Sequence, residues 1–237
     1  MARPHVGLAS LEGDIERYAE KYDFLELRPG DASVPKPATL RSWRRKVPPS
    51  FVFSVVFPKV VSELKPSPAL DAALEQALAV AREVEARCLL IATPPSITPT
   101  ELNRKRLSAL VERIPHDAVT LAWEPRGIWE TEEAAEVARK LDIVLVVDPA
   151  REPAPKGAIA YFRLRGLGES TRLSPAVIDR VATELESRRE AYVIIESSGP
   201  MAIAQELRKR AARRTGPVKQ GVVLKPRATL HAEDEEQ

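Results

Sequence analysis

Ala118-Val119-Thr120-Leu121-Ala122-Trp123-Glu124 alternates strictly: Val119, Leu121 and Trp123 form one bulky face, while Ala118, Thr120 and Ala122 lead on the other to Glu124. Side chains of a strand point to opposite faces with a period of two, so the small face belongs to a crowded interior and Glu124 closes it at the strand's C-terminal end. The same pattern recurs along the chain. Strands are expected at His5 to Ala9, Phe24 to Arg28, Phe51 to Phe57, Cys88 to Thr93, Ala118 to Glu124, Ile143 to Asp148, Ile159 to Arg165 and Ala191 to Ser197. Between them, Pro68 to Ala86, Pro99 to Ile114, Glu130 to Leu141, Ser174 to Arg188 and Pro200 to Arg213 carry apolar residues at helical spacing. Thr100 with Asn103, Thr131, and Ser174 with Pro175 supply helix-start signals.

Strand-helix alternation means parallel strands joined by right-handed crossovers. Eight such units imply a closed (β/α)8 barrel, the TIM-barrel architecture, over residues 1–214. An open doubly wound sheet is the competing architecture, but no Gly-x-Gly-x-x-Gly or Gly-x4-Gly-Lys-Ser/Thr follows any strand. The sixth unit is weak, because Pro149 to Gly157 is too proline-rich and too short for a helix. Beyond Arg214 the cadence stops; residues 215–237 are read as an extension in which Val218 to Leu224 could add a short strand and the acidic end is disordered.

The chain has 237 residues, 44% of them hydrophobic, enough for one large domain, and its formal net charge is only +2 with acids and bases interspersed. That balance gives no global attraction to nucleic acid or an anionic membrane. The basic run Arg208-Lys209-Arg210 with Arg213-Arg214 has no interleaved aromatics to stack bases, and a last helical turn favours cations anyway. Cys88 is the only cysteine, so no intrachain disulfide forms. No apolar run approaches the roughly 18 residues of a membrane span. A cytoplasmic protein is expected. The single asparagine, Asn103, and the 30% charged content suit a heat-adapted protein and equally a biased codon usage.

By the same alternation, Glu26 and Arg28 stand opposite Leu25 and Leu27, Asp148 in line with Val144 and Val146, and Arg163 and Arg165 in line with Tyr161. Charges gathered where parallel strands end make a site. The planar fork of arginine matches carboxylate and phosphate oxygens. Arg163, Arg165 and Arg28 are therefore expected to hold a small anionic ligand, with Glu124 as acid or base and Asp148 orienting it; Arg126, Trp129, Glu26 and Glu196 complete the set. The competing reading is that these acids and arginines only neutralise one another inside the barrel. His5 and His116 fall at the opposite end, Cys88 begins its strand, and Lys59 sits in a loop; all four are read as structural or solvated. No metal is expected, because the arginines would repel a cation from the same mouth, and no cofactor is implied.

Taken in order, Phe24-Leu25-Glu26-Leu27, Trp43, Val47-Pro48 with Phe51-Val52-Phe53-Ser54, Pro94-Pro95, Glu124-x-Arg126 with Trp129, Asp148, and Tyr161-x-Arg163-Leu164-x-Gly166 resemble the YecE-like family, also called domain of unknown function 72. The resemblance runs from about residue 5 to residue 212. It implies a TIM barrel and a site at these positions, and no reaction. Against the family's pattern, its Gly-rich aromatic opening is here Gly7-Leu8-Ala9-Ser10 and its Glu-x-Asn is Glu26-Leu27-Arg28. A lysine becomes Val56, a glutamine Ala92, two histidines Gly127 and Arg165, and paired asparagines Glu196-Ser197. Uncharged hydrogen-bonding groups have given way to charges or apolar residues, so either the ligand differs or the original function is lost. The readings carried forward are an enzyme binding a small anionic metabolite, a non-catalytic binding or scaffolding barrel, and metal-dependent isomerase or nuclease chemistry, which the arginines disfavour.

Overall fold

The computed structural model describes residues 4–30, 34–116, 118–165 and 173–214. Eight strands, β1 (His5–Leu8), β2 (Phe24–Leu27), β3 (Val52–Val56), β4 (Cys88–Thr93), β5 (Thr120–Pro125), β6 (Val144–Val147), β7 (Ile159–Leu164) and β8 (Glu190–Ile195), form a closed barrel in chain order. Every neighbouring pair is parallel, including β1 with β8. The intervening helices are α1 (Ile15–Ala19), α2 (Pro37–Lys46), α3 (Lys59–Ser62), α4 (Pro68–Glu83), α5 (Glu101–Glu112), α6 (Thr131–Lys140), α7 (Pro175–Glu186) and α8 (Pro200–Arg214). The barrel and its strand order are those expected from the sequence; the expected strand Val218 to Leu224 lies outside the described residues.

Helix starts follow local chemistry. Ser67, Thr100 and Ser174 each accept a hydrogen bond from the amide three residues on, at 3.1, 3.3 and 3.3 Å, which satisfies a donor the first turn leaves orphaned. Thr131 is no cap: Glu130 holds that position, and the Thr131 hydroxyl donates to Glu152.

Two apolar layers result from the period of two. Leu25, Phe53, Ile91, Leu121, Trp123 and Phe162 pack outward under the helices, whereas Phe24, Leu90, Ala122, Val146, Tyr161 and Tyr192 fill the barrel. Gly7 lies where β1 meets β2, and a Cβ there would fall 1.6 Å from the Phe24 carbonyl oxygen, so no larger residue fits. Tyr18 fastens the same two strands, accepting from the Leu8 amide at 2.8 Å and donating to the Phe24 carbonyl at 2.7 Å.

No helix lies between β6 and β7. The amides of Arg151 and Glu152 both turn back to the Asp148 carbonyl, and Pro149, Pro153 and Pro155 stop the turn from propagating. Arg180 and Arg188 of the α7 region bind the loop from one side, at the carbonyls of Ala150 and Gly157. An open groove of about 1060 Å³ remains over the outer faces of β5 to β7, bounded by α6 and by the loop that replaces a helix before β7. Among the described residues no helix is long and apolar enough to cross a membrane.

Candidate functional site

At the C-terminal ends of the strands, Arg163 is the centre of a buried ion network. It points inward one step beyond Tyr161 on β7, and its side chain has no exposed surface. Arg163 Nη2 donates to Glu26 Oε1 at 2.6 Å and Nη1 to Glu196 Oε1 at 2.6 Å. Its Nε lies 3.2 Å from Glu124 Oε2 in an ion pair, although neither atom has an aligned hydrogen bond. Glu26 Oε1 also accepts from the Tyr161 hydroxyl at 2.5 Å, and that hydroxyl stands 3.3 Å from Ser54 Oγ, while Glu26 Oε2 takes Arg28 Nη2 at 2.8 Å.

A second tier stands closer to solvent. Arg165 donates through Nη2 to Glu124 Oε1 and through Nε to Glu196 Oε2 at 3.0 Å. Its backbone amide donates to Asp148 Oδ2 at 3.1 Å, and Asp148 Oδ1 accepts from the Ala150 amide at 3.0 Å. Arg151 Nε approaches Asp148 Oδ2 to 3.4 Å, and Arg126 Nε approaches Glu124 Oε1 to 3.5 Å. Among the described residues, five guanidiniums thus face four carboxylates.

The ionisation states follow from this packing. Burial alone would raise the Glu124 carboxyl, but Arg163, Arg126 and Arg165 outweigh it and hold the group below the ordinary carboxylate range. Burial likewise pulls the Arg163 guanidinium down, and Glu26 and Glu124 more than reverse it, so it stays charged. Burial, then the Glu26 charge, pushes Tyr161 far up, which keeps it a neutral donor. Asp148 is raised by burial against the opposing bonds from the Arg165 and Ala150 amides.

Glu26, Arg28, Glu124, Arg126, Asp148, Arg163, Arg165 and Glu196 therefore come together at one mouth as the alternation requires. His5 stacks on Tyr192 where the barrel strands begin, and His116 precedes β5 at that same end. The contacts of four of the site residues differ from those expected. Arg163 is fully buried and already ringed by three carboxylates. Glu124 is held ionised by the same arginines. Asp148 ties the ends of β6 and β7 by accepting from the Arg165 and Ala150 amides. Trp129 does not reach the mouth: its indole donates to the Ile97 carbonyl at 2.7 Å and packs edge-on against Trp123 in the outer layer, with Arg104 over its ring.

Arg151 was not foreseen, although its place three residues after Asp148 in a turn was the available signal. Lys59 is exposed and stands 3.8 Å from Glu63. Cys88 is buried and its thiol is pushed well up by burial. Among the described residues no group of three or more His, Cys, Asp or Glu side chains is placed to hold a metal ion; the guanidinium of Arg163 takes the centre of the carboxylates instead.

The fold has known counterparts. A DUF72 family protein of Thermotoga maritima superposes with a TM-score of 0.68 at 21% identity, covering 90% of this chain and 100% of its own. One from Enterococcus faecalis gives 0.69 at 16% identity, with coverages of 88% and 95%. A xylose isomerase domain containing protein of Salmonella typhimurium gives 0.61 at 16% identity, with coverages of 90% and 96%. No curated protein matches the sequence. The family model described as protein of unknown function DUF72 matches residues 7–229, nearly the whole chain, and the chain belongs to that family.

Proposed function

We propose that the C-terminal mouth of this barrel binds a small anionic molecule at its rim, above a floor of ion pairs that takes no part in proton transfer. The observation that carries this reading is Arg126. Its side chain is 43% exposed, and among the described residues it meets a carboxylate only through Nε at 3.5 Å, so its two terminal nitrogens meet no carboxylate there. Arg165, 37% exposed, meets the same oxygen of Glu124 through Nη2. Two partly exposed forks meeting one carboxylate oxygen suit a carboxylate or phosphate beside them.

The floor supports binding rather than acid or base catalysis. A general base works best with a pKa near the operating pH, and Glu124 is driven away from it. The likeness to a xylose isomerase domain protein is a likeness of fold, and a sugar phosphate is one ligand that would place its anion on these forks.

Thermal unfolding with inorganic phosphate, small dicarboxylates and sugar phosphates tests the reading. A ligand at a hundred times its dissociation constant adds about 2.7 kcal/mol, a shift of roughly 5 to 11 °C for a domain of this size. Arg126→Ala should remove the shift and leave the unliganded melting temperature nearly unchanged, since no buried carboxylate relies on that side chain alone. No shift across the panel, or an undiminished shift in Arg126→Ala, overturns it.

A further inference from the structure

A second cleft, of about 480 Å³, lies between α1 and the start of α8, and no residue of the mouth's ion network lines it. Sites for small molecules occupy about 300 to 1,000 Å³. Arg17, Tyr18, Lys21 and Tyr22 form one side, on α1 and the turn after it, at the three- and four-residue spacing of a single helical face. Gly199 to Ala202 form the other side.

Tyr22 is the unexplained group here. It is only 5% exposed, and its ring packs tilted on that of Tyr18 with centroids 4.9 Å apart. The Tyr18 hydroxyl is engaged by both Leu8 and Phe24, whereas the Tyr22 hydroxyl has no hydrogen-bond partner among the described residues. A buried tyrosine normally finds a partner for its polar tip. Because Tyr22 lines the cleft, the little of it that stays uncovered faces that space. Burial first, and then the Glu12 charge, raise its pKa, so the hydroxyl is a neutral donor.

Across the cleft stands the N-terminus of α8. The amides of Met201 and Ala202 belong to a first turn that has no carbonyl one turn back to receive them. That turn holds no acidic residue, and Gly199 before it has no side chain to cap it. A Cβ at Gly199 would meet nothing within 4 Å, so approach to these amides is open. The charges at the rim are mixed. Arg17 and Lys21 are exposed cations, Glu12 is an exposed acid, and the Asp14 carboxylate is already engaged by the Glu16 and Arg17 amides at 2.9 and 3.4 Å.

We propose that this cleft binds a small organic anion, a carboxylate or phosphate ester, whose oxygens accept from the Met201 and Ala202 amides and from the Tyr22 hydroxyl and whose apolar part lies on the Tyr18 ring and the half-exposed Met201 side chain. Donors dominate its polar surface, and a helix N-terminus favours negative charge. Glu12 is the one acid at the rim without that capping duty, and two cations outweigh it. The site is separate from the Arg126 rim and does not depend on it.

Calorimetric titration of the full chain with phenyl phosphate and with inorganic phosphate tests the assignment, on protein carrying Arg126→Ala so that the rim contributes nothing. Phenyl phosphate should bind once per chain, about tenfold or more tighter than inorganic phosphate, which lacks the apolar part. Tyr22→Phe keeps the ring and removes the donor; it should weaken phenyl phosphate about tenfold, the usual size for a hydrogen bond to a charged group. Ala202→Glu places a carboxylate in the first turn, where it suits the helix dipole, and should weaken binding at least tenfold without lowering the melting temperature. Affinity unchanged by either substitution, or equal for the two phosphates, overturns the proposal. Absence of binding in the Arg126→Ala protein, with binding retained in the parent chain, confines anions to the rim; it overturns this site and leaves the rim reading standing.

Discussion

Arg163 decides what the mouth is made of. Its side chain has no exposed surface and three carboxylates depend on it, so Arg163→Met strands buried charge. Removing one partner of a buried pair typically costs about 3 to 5 kcal/mol. That is a fall in melting temperature of roughly 6 to 20 °C for a domain of this size, measurable by calorimetry without any ligand; a fall of a degree or two would mean that the network relaxes easily. Gly127 raises a different constraint. It stands where the resemblance puts a histidine, its φ is +107°, and a Cβ would meet Pro95 Cα and O at 3.0 Å. Gly127→His should therefore destabilise by about 1 to 3 kcal/mol, the usual cost of a side chain held in a glycine-only conformation, read as a lower urea midpoint with the m-value unchanged. The residues of the site were legible in the sequence because an inward charge at a strand end breaks an apolar alternation. Their roles were not. Alternation says which way Arg163 points and nothing about how many carboxylates from β2, β5 and β8 will meet it, and Trp129 follows Glu124 in sequence yet turns outward onto Trp123.

Among the elements, the sixth unit carries the fold's main departure from regularity, and its anchors are specific. Arg188 is buried; Nη1 donates to the Gly157 carbonyl at 2.9 Å and Nε to the Glu184 carbonyl at 3.1 Å, joining the end of α7 to the start of β7. Arg188→Met leaves those carbonyls without their donor, at about 1 to 3 kcal/mol, and should speed amide exchange at the beginning of β7 before the rest of the barrel. The exposed Glu101 and Lys105 pair serves as the contrast, since such surface pairs contribute about 0 to 1 kcal/mol and Lys105→Met should change little. Elements with a strong period were readable from sequence: β5, β7, α4 and α6 sit within a few residues of where alternation or helical spacing puts them. The two shortest helices, α1 and α3, carry too few turns for periodicity to register, so Ile15–Ala19 and Lys59–Ser62 emerge only once tertiary packing buries Ile15, Tyr18 and Val61. The missing helix after β6 was readable because prolines announce it; the groove it leaves is a property of the whole ring and of no single stretch.

For the whole molecule, the buried charges set how stability changes with pH, and the two perturbed carboxylates at the mouth act in opposite directions. Asp148 has a raised pKa in the fold, so the folded state holds its proton more tightly than the unfolded chain does. Keeping that group ionised destabilises the fold, and this penalty is relieved as pH falls through its folded pKa. Glu124 has a lowered pKa in the fold, so the unfolded chain takes up the proton first, beginning around the ordinary glutamate value of 4.5. Its contribution is complete above that value and is lost as pH falls toward its folded pKa. Asp14 and Glu136, both exposed, are lowered as well and add weakly to the same limb. Urea unfolding from about pH 7 to about pH 3 should accordingly show a slight rise in stability on first acidification and then a decline. Asp148→Asn should flatten the rise. Glu124→Gln should lower stability at neutral pH, because three arginines lose a counter-ion, and should make the acid decline shallower. A decline equally steep in Glu124→Gln would mean that other carboxylates carry the acid limb and that Glu124 is not the fixed anion beneath Arg126 and Arg165.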